Sequence, residues 1–84
     1  MSVTVTLIGR DGCHLCDDAR AIVSDVVSRH DGIAFNEQSI DDDPALAERY
    51  RDEIPVVLID NSVHNFWRID ADRLDRALRE RTQT

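Results

Sequence analysis

Two cysteines separated by two residues are the side chains in this sequence best suited to chemistry. Cys13 and Cys16 lie in the stretch LIGRDGCHLCDDAR, residues 7–20, where a short apolar run gives way to a polar one. A C-x-x-C pair can supply half of a zinc site, close a structural disulfide, or exchange electrons between dithiol and disulfide forms. The rest of the chain has to distinguish these three uses.

A zinc site needs more ligands than the sequence offers in a familiar pattern. A closed structural zinc site has four ligands. Besides the two cysteines, the usual soft ligands here are His14, His30 and His64, and their spacing matches no zinc motif. Electron exchange by the cysteine pair is therefore the leading hypothesis.

Disulfide exchange requires a thiolate, although a free cysteine has a pKa of about 8.5. The start of a helix favours the ionised sulfur, because the unpaired N–H groups of the first turn and the helix dipole stabilise negative charge there. Cys13 at a helix start is predicted to be the attacking thiol. Cys16, one turn further on and deeper, is predicted to resolve the mixed disulfide.

The residues that flank the cysteines carry charges of both signs. Arg10 is expected to add positive charge beside the pair. His14 has two interpretations: a cationic imidazole that stabilises the thiolate, or a first-turn residue that faces solvent. Three carboxylates oppose the cations: Asp11, Asp17 and Asp18.

The pattern around the cysteines predicts a strand followed by a helix. Residues 3–8 are rich in β-branched types and end at Gly9, which indicates a strand and then a loop. Apolar residues then recur at helical spacing on one face, and Gly32 is suited to follow the helix end. The first helix is predicted over about residues 13–30. Its apolar face consists of Leu15, Ala19, Ile22, Val23, Val26 and Val27.

The middle of the chain predicts a second strand and a second helix. Residues 33–40, IAFNEQSI, have strand character. Asp43 before Pro44 is typical of a helix start, because the carboxylate accepts from free backbone N–H groups and proline lacks an N–H that would be unpaired there. A short helix is expected to continue through Tyr50.

The last third predicts a hairpin and a final helix. Residues 54–60, IPVVLID, form a nearly continuous apolar strand, and turn-forming residues 60–62 return the chain into VHNFW, residues 63–67. Alternation predicts that one of Phe66 and Trp67 is buried while the other lies at the rim of the site. Asp70 is suited to cap the last helix, which turns Leu74, Ala77 and Leu78 inward.

Composition restricts the class of protein. The chain has 84 residues, of which 42% are apolar and 32% charged, which predicts one globular domain over residues 1–84. A net charge of −7 disfavours nucleic-acid and anionic-membrane partners, which need a positive field. No signal leader or run of roughly 20 apolar residues is present. We therefore expect a cytoplasmic monomer, in a compartment where paired cysteines are seldom a permanent disulfide.

With these elements in the order βαβαββα, the chain resembles the glutaredoxin-like proteins of the thioredoxin-fold superfamily. The matching segments are GCHLCDDA, DPALAERY and EIPVVLID. The resemblance implies an α/β thioredoxin-like fold with a four-stranded mixed sheet flanked by helices. It also implies that Cys13 is the nucleophile, that Cys16 resolves, and that Pro55 is a cis-proline facing the pair. Backbone groups of Ile54 would then pair with an extended substrate segment.

The sequence departs from the usual glutaredoxin pattern at two places. His14-Leu15 replaces the common Pro-Tyr between the cysteines, so the chain is most similar to short members with a C-x-L-C centre. The segment NFWRIDADR, residues 65–73, has no glycine where glutaredoxins carry a Gly-Gly-Asp-type segment that holds glutathione. Glutathione or another low-molecular-weight thiol is thus a candidate co-substrate rather than an assigned one.

The leading functional hypothesis is a thiol–disulfide oxidoreductase that acts on a protein disulfide or a small-thiol disulfide. It requires no cofactor, because the cysteines themselves carry the electrons. Two alternatives stay open. One is a metal or iron–sulfur module in which two chains share a cluster through Cys13 and an external thiol. The other is a thioredoxin-fold interaction domain whose cysteines do not turn over.

Overall fold

The computed structural model describes residues 3–82, and its order of elements is the predicted βαβαββα. The first helix ends earlier than predicted. The third strand is shorter at both ends than the predicted residues 54–60, because Pro55 cannot donate to a strand ladder and Asp60 already belongs to the hairpin turn, with φ 50°. The elements are β1 Val3–Gly9, α1 His14–Ser28, β2 Ile33–Ser39, α2 Pro44–Tyr50, β3 Val56–Ile59, β4 Ser62–Phe66 and α3 Ala71–Thr82.

The four strands form one mixed sheet in the order β2-β1-β3-β4. β1 pairs parallel with β2 and antiparallel with β3, and β4 pairs antiparallel with β3. The parallel pair requires a crossover, which α1 supplies. The predicted fold class is confirmed. β1 is central, so its carboxyl end brings the loop with the cysteines to the middle of the sheet edge.

Helices cover both faces of the sheet. Because side chains alternate along a strand, Val57 and Ile59 of β3 join one core while Val56 and Leu58 join the other. The first core lies under α1 and α3, and the second lies under α2. Apolar side chains of α1 and α3 in the first core are Ala19, Val23, Val26, Leu74 and Leu78.

Local signals in the sequence produce the predicted helix starts and hairpin. The Asp43 carboxylate accepts from the Ala45 N–H at 2.9 Å, and the Asp70 carboxylate accepts from the Arg73 N–H at 3.1 Å. The hairpin between β3 and β4 turns at Asp60 and Asn61, both with positive φ. Two such residues make a turn whose twist matches that of the flanking strands.

The helices are short in comparison with a bilayer. The longest, α1, has 15 residues, whereas a spanning helix needs roughly 20 apolar ones. Among residues 3–82 no helix is both long enough and apolar enough to cross a membrane.

Candidate functional site

The two cysteines form a disulfide at the start of α1. Cys13 is the N-cap residue, with an extended backbone (φ −101°, ψ 114°), and Cys16 lies in the first helical turn. Their Cα atoms are 5.2 Å apart, within the usual range for a disulfide. Cys13 is partly exposed, while Cys16 is only 1% exposed. A reagent from solvent therefore meets Cys13 first.

The sulfur of Cys13 occupies the position of a helix-capping acceptor. The backbone N–H of Cys16 donates to Cys13 Sγ at 3.1 Å, in the way that first-turn N–H groups usually donate to a serine or aspartate oxygen. The same N–H and the helix dipole would stabilise a thiolate on Cys13 after reduction. The predicted placement of the pair at a helix start is confirmed.

Gly9 makes room for the buried cysteine. A β-carbon built on Gly9 would lie 2.9 Å from Cys16 Sγ and 3.1 Å from Cys16 Cβ. An alanine at that position would therefore require Cys16 or its surroundings to shift. The sequence pattern indicated Gly9 only as the end of a strand, so this packing role was missed. A glycine just before a C-x-x-C loop is the signal that could have pointed to it.

The segment before β3 carries the predicted cis-proline. The Ile54–Pro55 peptide bond is cis, as the resemblance implies. Pro55 is buried, and its carbonyl oxygen accepts from the Trp67 N–H at 2.9 Å. Within residues 3–82, the backbone N–H and C=O of Ile54 have no backbone hydrogen-bond partner.

The predicted supporting residues Arg10 and His14 are both exposed. Arg10 pairs with Asp41, Nη2 to Oδ1 at 3.5 Å, so its charge is partly neutralised by a residue distant in sequence. His14 is the first residue of α1. The charge roles of Arg10 and His14 stay predictions.

A polar cavity of about 190 Å³ lies beside Cys16, with Arg20 and Glu37 on its wall. Arg20 Nε donates to both carboxylate oxygens of Glu37 at 2.9 Å, and Arg20 Nη1 donates to Asp17 at 3.0 Å. The hydrogen bonds to Glu37 and then to Asp17 raise the pKa of Arg20 above its ordinary value. Arg20 thus ties α1 to β2 and neutralises a nearby carboxylate. Its role was not predicted, since nothing local in the sequence marks β2 as its partner.

Phe66 and Trp67 are both exposed, by 42% and 55%, so the prediction that one of them is buried is wrong. The physical reason is that β4 ends at Phe66 and Trp67 adopts a left-handed backbone with φ 65°. Strand alternation therefore stops between them. Trp67 is nevertheless held in place, because its indole Nε1 donates to the Asp52 carbonyl at 2.9 Å. Its ring also packs edge-on against the Phe66 ring, with 5.1 Å between the ring centroids.

Potential metal ligands are not clustered in the part of the chain that the structure describes. Over residues 3–82, no group of three or more His, Cys, Asp or Glu side chains is arranged to hold a metal ion. His30 instead pairs with Asp75 at 2.8 Å, and His64 lies in β4, far along the chain from the cysteines.

Comparison with known proteins places these features in a family. The family model for a glutaredoxin-like domain (DUF836) matches residues 4–79. The uncharacterized protein Rv0508 of Mycobacterium tuberculosis is 31% identical over 77 residues, which span 83% of this chain and 76% of that protein.

Solved structures agree with the fold. The X-ray structure of protein XcR50 from X. campestris is 37% identical, with a TM-score of 0.73, over 90% of this chain and 96% of that one. A mutant thioredoxin from Halobacterium salinarum has a TM-score of 0.74 at 19% identity, over 99% of this chain and 77% of that one, which supports the fold alone. The chain belongs to the family of glutaredoxin-like domains (DUF836) and has a thioredoxin fold.

Proposed function

We propose that this protein is a thiol–disulfide oxidoreductase that uses Cys13 and Cys16 as its redox couple. The observation that carries the proposal is the position of Cys13 as the N-cap of α1, with the Cys16 N–H donating to its sulfur at 3.1 Å. A helix start is a site where a sulfur anion is stabilised. A buried partner cysteine one turn away is suited to close the disulfide.

The reaction conserves electrons without a cofactor. The Cys13 thiolate attacks one sulfur of a substrate disulfide, forming a mixed disulfide and releasing the other substrate sulfur as a thiolate. Cys16, deprotonated, then attacks the Cys13 sulfur and releases the second substrate thiolate. Two electrons pass from the protein dithiol to the substrate, and the protein ends as the 13–16 disulfide.

The difference in burial supports this division of roles. Cys16 is 1% exposed, so an external disulfide cannot approach its sulfur in line, whereas Cys13 is partly exposed. Attack by Cys16 on Cys13 is intramolecular and needs no access from solvent. This difference in access supports the proposed order of steps.

The backbone before Pro55 offers a way to align a polypeptide substrate. Ile54 has no backbone partner within residues 3–82. An extended substrate segment can pair with such free N–H and C=O groups as an added strand does. This contact would hold a substrate cysteine through backbone atoms alone, whatever side chains flank that cysteine in the substrate.

The proposed cycle closes when a small thiol or a reductase of a reducing compartment returns two electrons to the 13–16 disulfide. Glutathione is one candidate. A cytoplasmic monomer fits this cycle, since neither step calls for a second copy of this chain. The alternative of a metal or iron–sulfur module, in which two chains share a cluster through Cys13 and an external thiol, calls for a measurement of its own.

The decisive experiment traps the first intermediate. A Cys16→Ser variant, reduced and mixed with a disulfide-linked peptide, should accumulate one peptide adduct on Cys13, detected by mass spectrometry and removed by dithiothreitol. The matched Cys13→Ser variant should form none, and the wild type should release the peptide and form its own disulfide. Equal adduct formation by both variants would contradict the proposed division of roles between Cys13 and Cys16.

Two further measurements address the alternatives. The reduction potential of the wild-type pair, measured in dithiothreitol buffers, should be definite and reversible, whereas a redox-inactive domain would not equilibrate. An aerobically purified protein should be colourless and free of stoichiometric metal. Colour or bound metal would support the module instead.

A further inference from the structure

The polar cavity of about 190 Å³ gives the buried Cys16 a connection to water. Gly9 and Cys16 line it, together with the exposed residues Arg10 and Asp11. The Cys16 sulfur is directed at this wall, since a β-carbon on Gly9 would lie 2.9 Å from it. Liquid water takes about 30 Å³ per molecule, so the cavity has room for several water molecules. The thiol proton of Cys16, a residue only 1% exposed, therefore has a route out.

The strand register places Glu37 on the same side of the sheet as the Cys16 sulfur. Gly9 of β1 pairs with Ser39 of β2, and Glu37 is two residues before Ser39. Side chains two residues apart project from the same face of a sheet, here the face that α1 covers. The Glu37 backbone is therefore about 7 Å along the strand and about 5 Å across from Gly9, which the Cys16 sulfur contacts.

The charges on the cavity wall favour carboxylates over cations. Among residues 3–82, the charged side chains that line it come from α1, from β2 and from the connections that follow β1 and β2. They are Arg10, Asp11, Arg20, Glu37 and Asp42. The charge of Arg10 is offset by Asp41 at 3.5 Å. Arg20 is the cation that meets Glu37, with its Nε 2.9 Å from both carboxylate oxygens, and it also contacts Asp17 at 3.0 Å.

This pairing matters for Cys16 because a resolving thiol must ionise before it attacks. Burial disfavours a thiolate, and a carboxylate nearby disfavours it further, whereas a cation favours it. Arg20 is four residues after Cys16, about 6 Å further along the helix axis. Its guanidinium cancels much of the negative potential that Glu37 would otherwise impose on the sulfur.

We infer that Arg20 is a positioning residue for the resolving step, in which it neutralises Glu37 beside Cys16 so that the buried thiol can ionise. The inference rests on the proposed oxidoreductase function. In this step the Cys16 thiol gives its proton to water in the cavity, and the thiolate forms the bond to the Cys13 sulfur. The bond between Cys13 and the substrate sulfur breaks, and its electron pair leaves on the substrate as a thiolate.

A single-turnover reaction with 2,2′-dithiodipyridine, an uncharged disulfide, measures the resolving step. Reduced protein is mixed in excess with this reagent. Attack by Cys13 releases one thiopyridone at a rate that rises with protein concentration. Resolution by Cys16 then releases the second thiopyridone in a first-order phase that does not depend on concentration. Absorbance follows both phases from pH 6 to pH 10, and the second phase gives a rate constant and a midpoint pH.

Arg20→Gln leaves the Glu37 carboxylate beside Cys16 without its guanidinium. The midpoint of the second phase should rise by about one pH unit, the effect of one partly screened charge. The rate at pH 7 should fall at least about threefold, since the greater nucleophilicity of a more basic thiolate offsets part of the loss. The first phase should be unchanged, because Cys13 carries it.

Glu37→Gln separates charge from a merely structural tie. It weakens the same link between α1 and β2 but removes the negative charge, so its second phase should be at least as fast as that of the wild type. Arg20→Gln combined with Glu37→Gln should recover most of the lost rate. The recovery is incomplete, because Asp17 also loses its arginine. Arg20→Lys, which keeps the charge, should retain most of the wild-type rate.

Arg29→Gln is the matched control for loss of an arginine from this region. Arg29 follows α1 directly and pairs with Asp25, and it is 54% exposed against 45% for Arg20. Because it is at the other end of α1 from Cys16, its loss should leave both phases unchanged. Equal slowing in Arg20→Gln and Arg29→Gln would overturn the inference in favour of a general charge effect.

The remaining outcomes distinguish this inference from the proposed function. Release of both thiopyridones with an unchanged second phase in Arg20→Gln would retain the oxidoreductase and reject the role of Arg20. Equal slowing in Arg20→Gln, Glu37→Gln and the double variant would reduce the pair to a structural tie and also reject it. A wild type that releases only one thiopyridone would reject Cys16 as the resolving thiol, and the proposed function and the inference would both fall.

Discussion

Gly9, at the end of β1, lies so close to Cys16 in α1 that the strand has no room for a side chain at that point. A β-carbon on Gly9 would come within 2.9 Å of the Cys16 sulfur, which is closer than the van der Waals contact of about 3.5–4.0 Å found between carbon atoms in packed interiors. The buried half of the cysteine pair thus depends on a residue with no side chain. This relationship leads to the first prediction.

Gly9→Ala should destabilise the fold by about 1–3 kcal/mol, because it adds a methyl group to a filled space. It should also change the reduction potential of the 13–16 pair, since the intruding carbon meets Cys16. Urea denaturation and equilibration in dithiothreitol buffers measure the two effects. Gly32→Ala is the control: Gly32 has φ 77° and open space around it, so it should lower stability through backbone strain alone and leave the potential unchanged.

Removal of the Asp43 carboxylate should shorten or loosen α2. That carboxylate accepts from the Ala45 N–H at 2.9 Å, and loss of such a cap costs about 1 kcal/mol. Asp43→Ala should therefore lower the free energy of unfolding by about that amount in urea denaturation. Asp42→Ala, at the exposed neighbouring position, should change stability much less. Similar losses in both variants would argue for a general charge effect.

His64 should make stability depend on pH in the mildly acidic range. Burial lowers the pKa of His64 below its ordinary value, and Arg73 and Arg81 lower it further against a smaller opposing effect of Asp70. The unfolded chain then binds a proton that the folded chain resists, so stability falls as the pH drops from about 6.5 towards the lowered pKa.

The measurement is urea denaturation from pH 7.5 down to pH 5. His64→Gln should flatten the slope in this window, because the group that titrates is gone. Val63→Ser, at the adjacent exposed position, should keep the wild-type slope. An unchanged slope in His64→Gln would show that this histidine is equally protonated in both states.

Asp75 should support the fold at neutral pH and lose its effect in acid. The side chain bonds to Arg79 and, at 2.8 Å, to His30, which connects the end of α1 to α3. The hydrogen bonds from Arg79 and then His30 lower the pKa of Asp75. A lowered carboxyl pKa means that the stabilisation is present above the unfolded value of about 3.9 and disappears as the pH falls through the lower folded value.

Asp75→Asn should therefore be less stable than the wild type at pH 7, and the difference should shrink as the pH falls below about 4. Asp25→Asn is the matched control, since Asp25 also pairs with an arginine four residues away but is 62% exposed, against 17% for Asp75. Its loss should be smaller at pH 7. Thermal denaturation across this pH range measures both losses. Equal losses of stability in Asp75→Asn and Asp25→Asn at every pH would contradict the prediction.

The sequence by itself determined the order of the elements and the place of the cysteine pair at a helix start, because the signals concerned act over a few residues. The Asp43 carboxylate caps a helix by accepting from the nearby Ala45 N–H, and Asp60 and Asn61 make a tight turn with their own backbones. Helical spacing after Cys13 predicts α1 in the same way. The C-x-x-C pair at a helix start therefore indicated electron exchange without any knowledge of how the strands pair.

Only the tertiary structure decided which distant residues share the site. Arg10 meets Asp41, Arg20 meets Glu37, and Gly9 lies against Cys16. The exposure of Trp67 follows from the end of β4 and its bond to Pro55, not from the alternation of the strand. Such contacts depend on strand register and helix packing over many residues, and no local spacing encodes them.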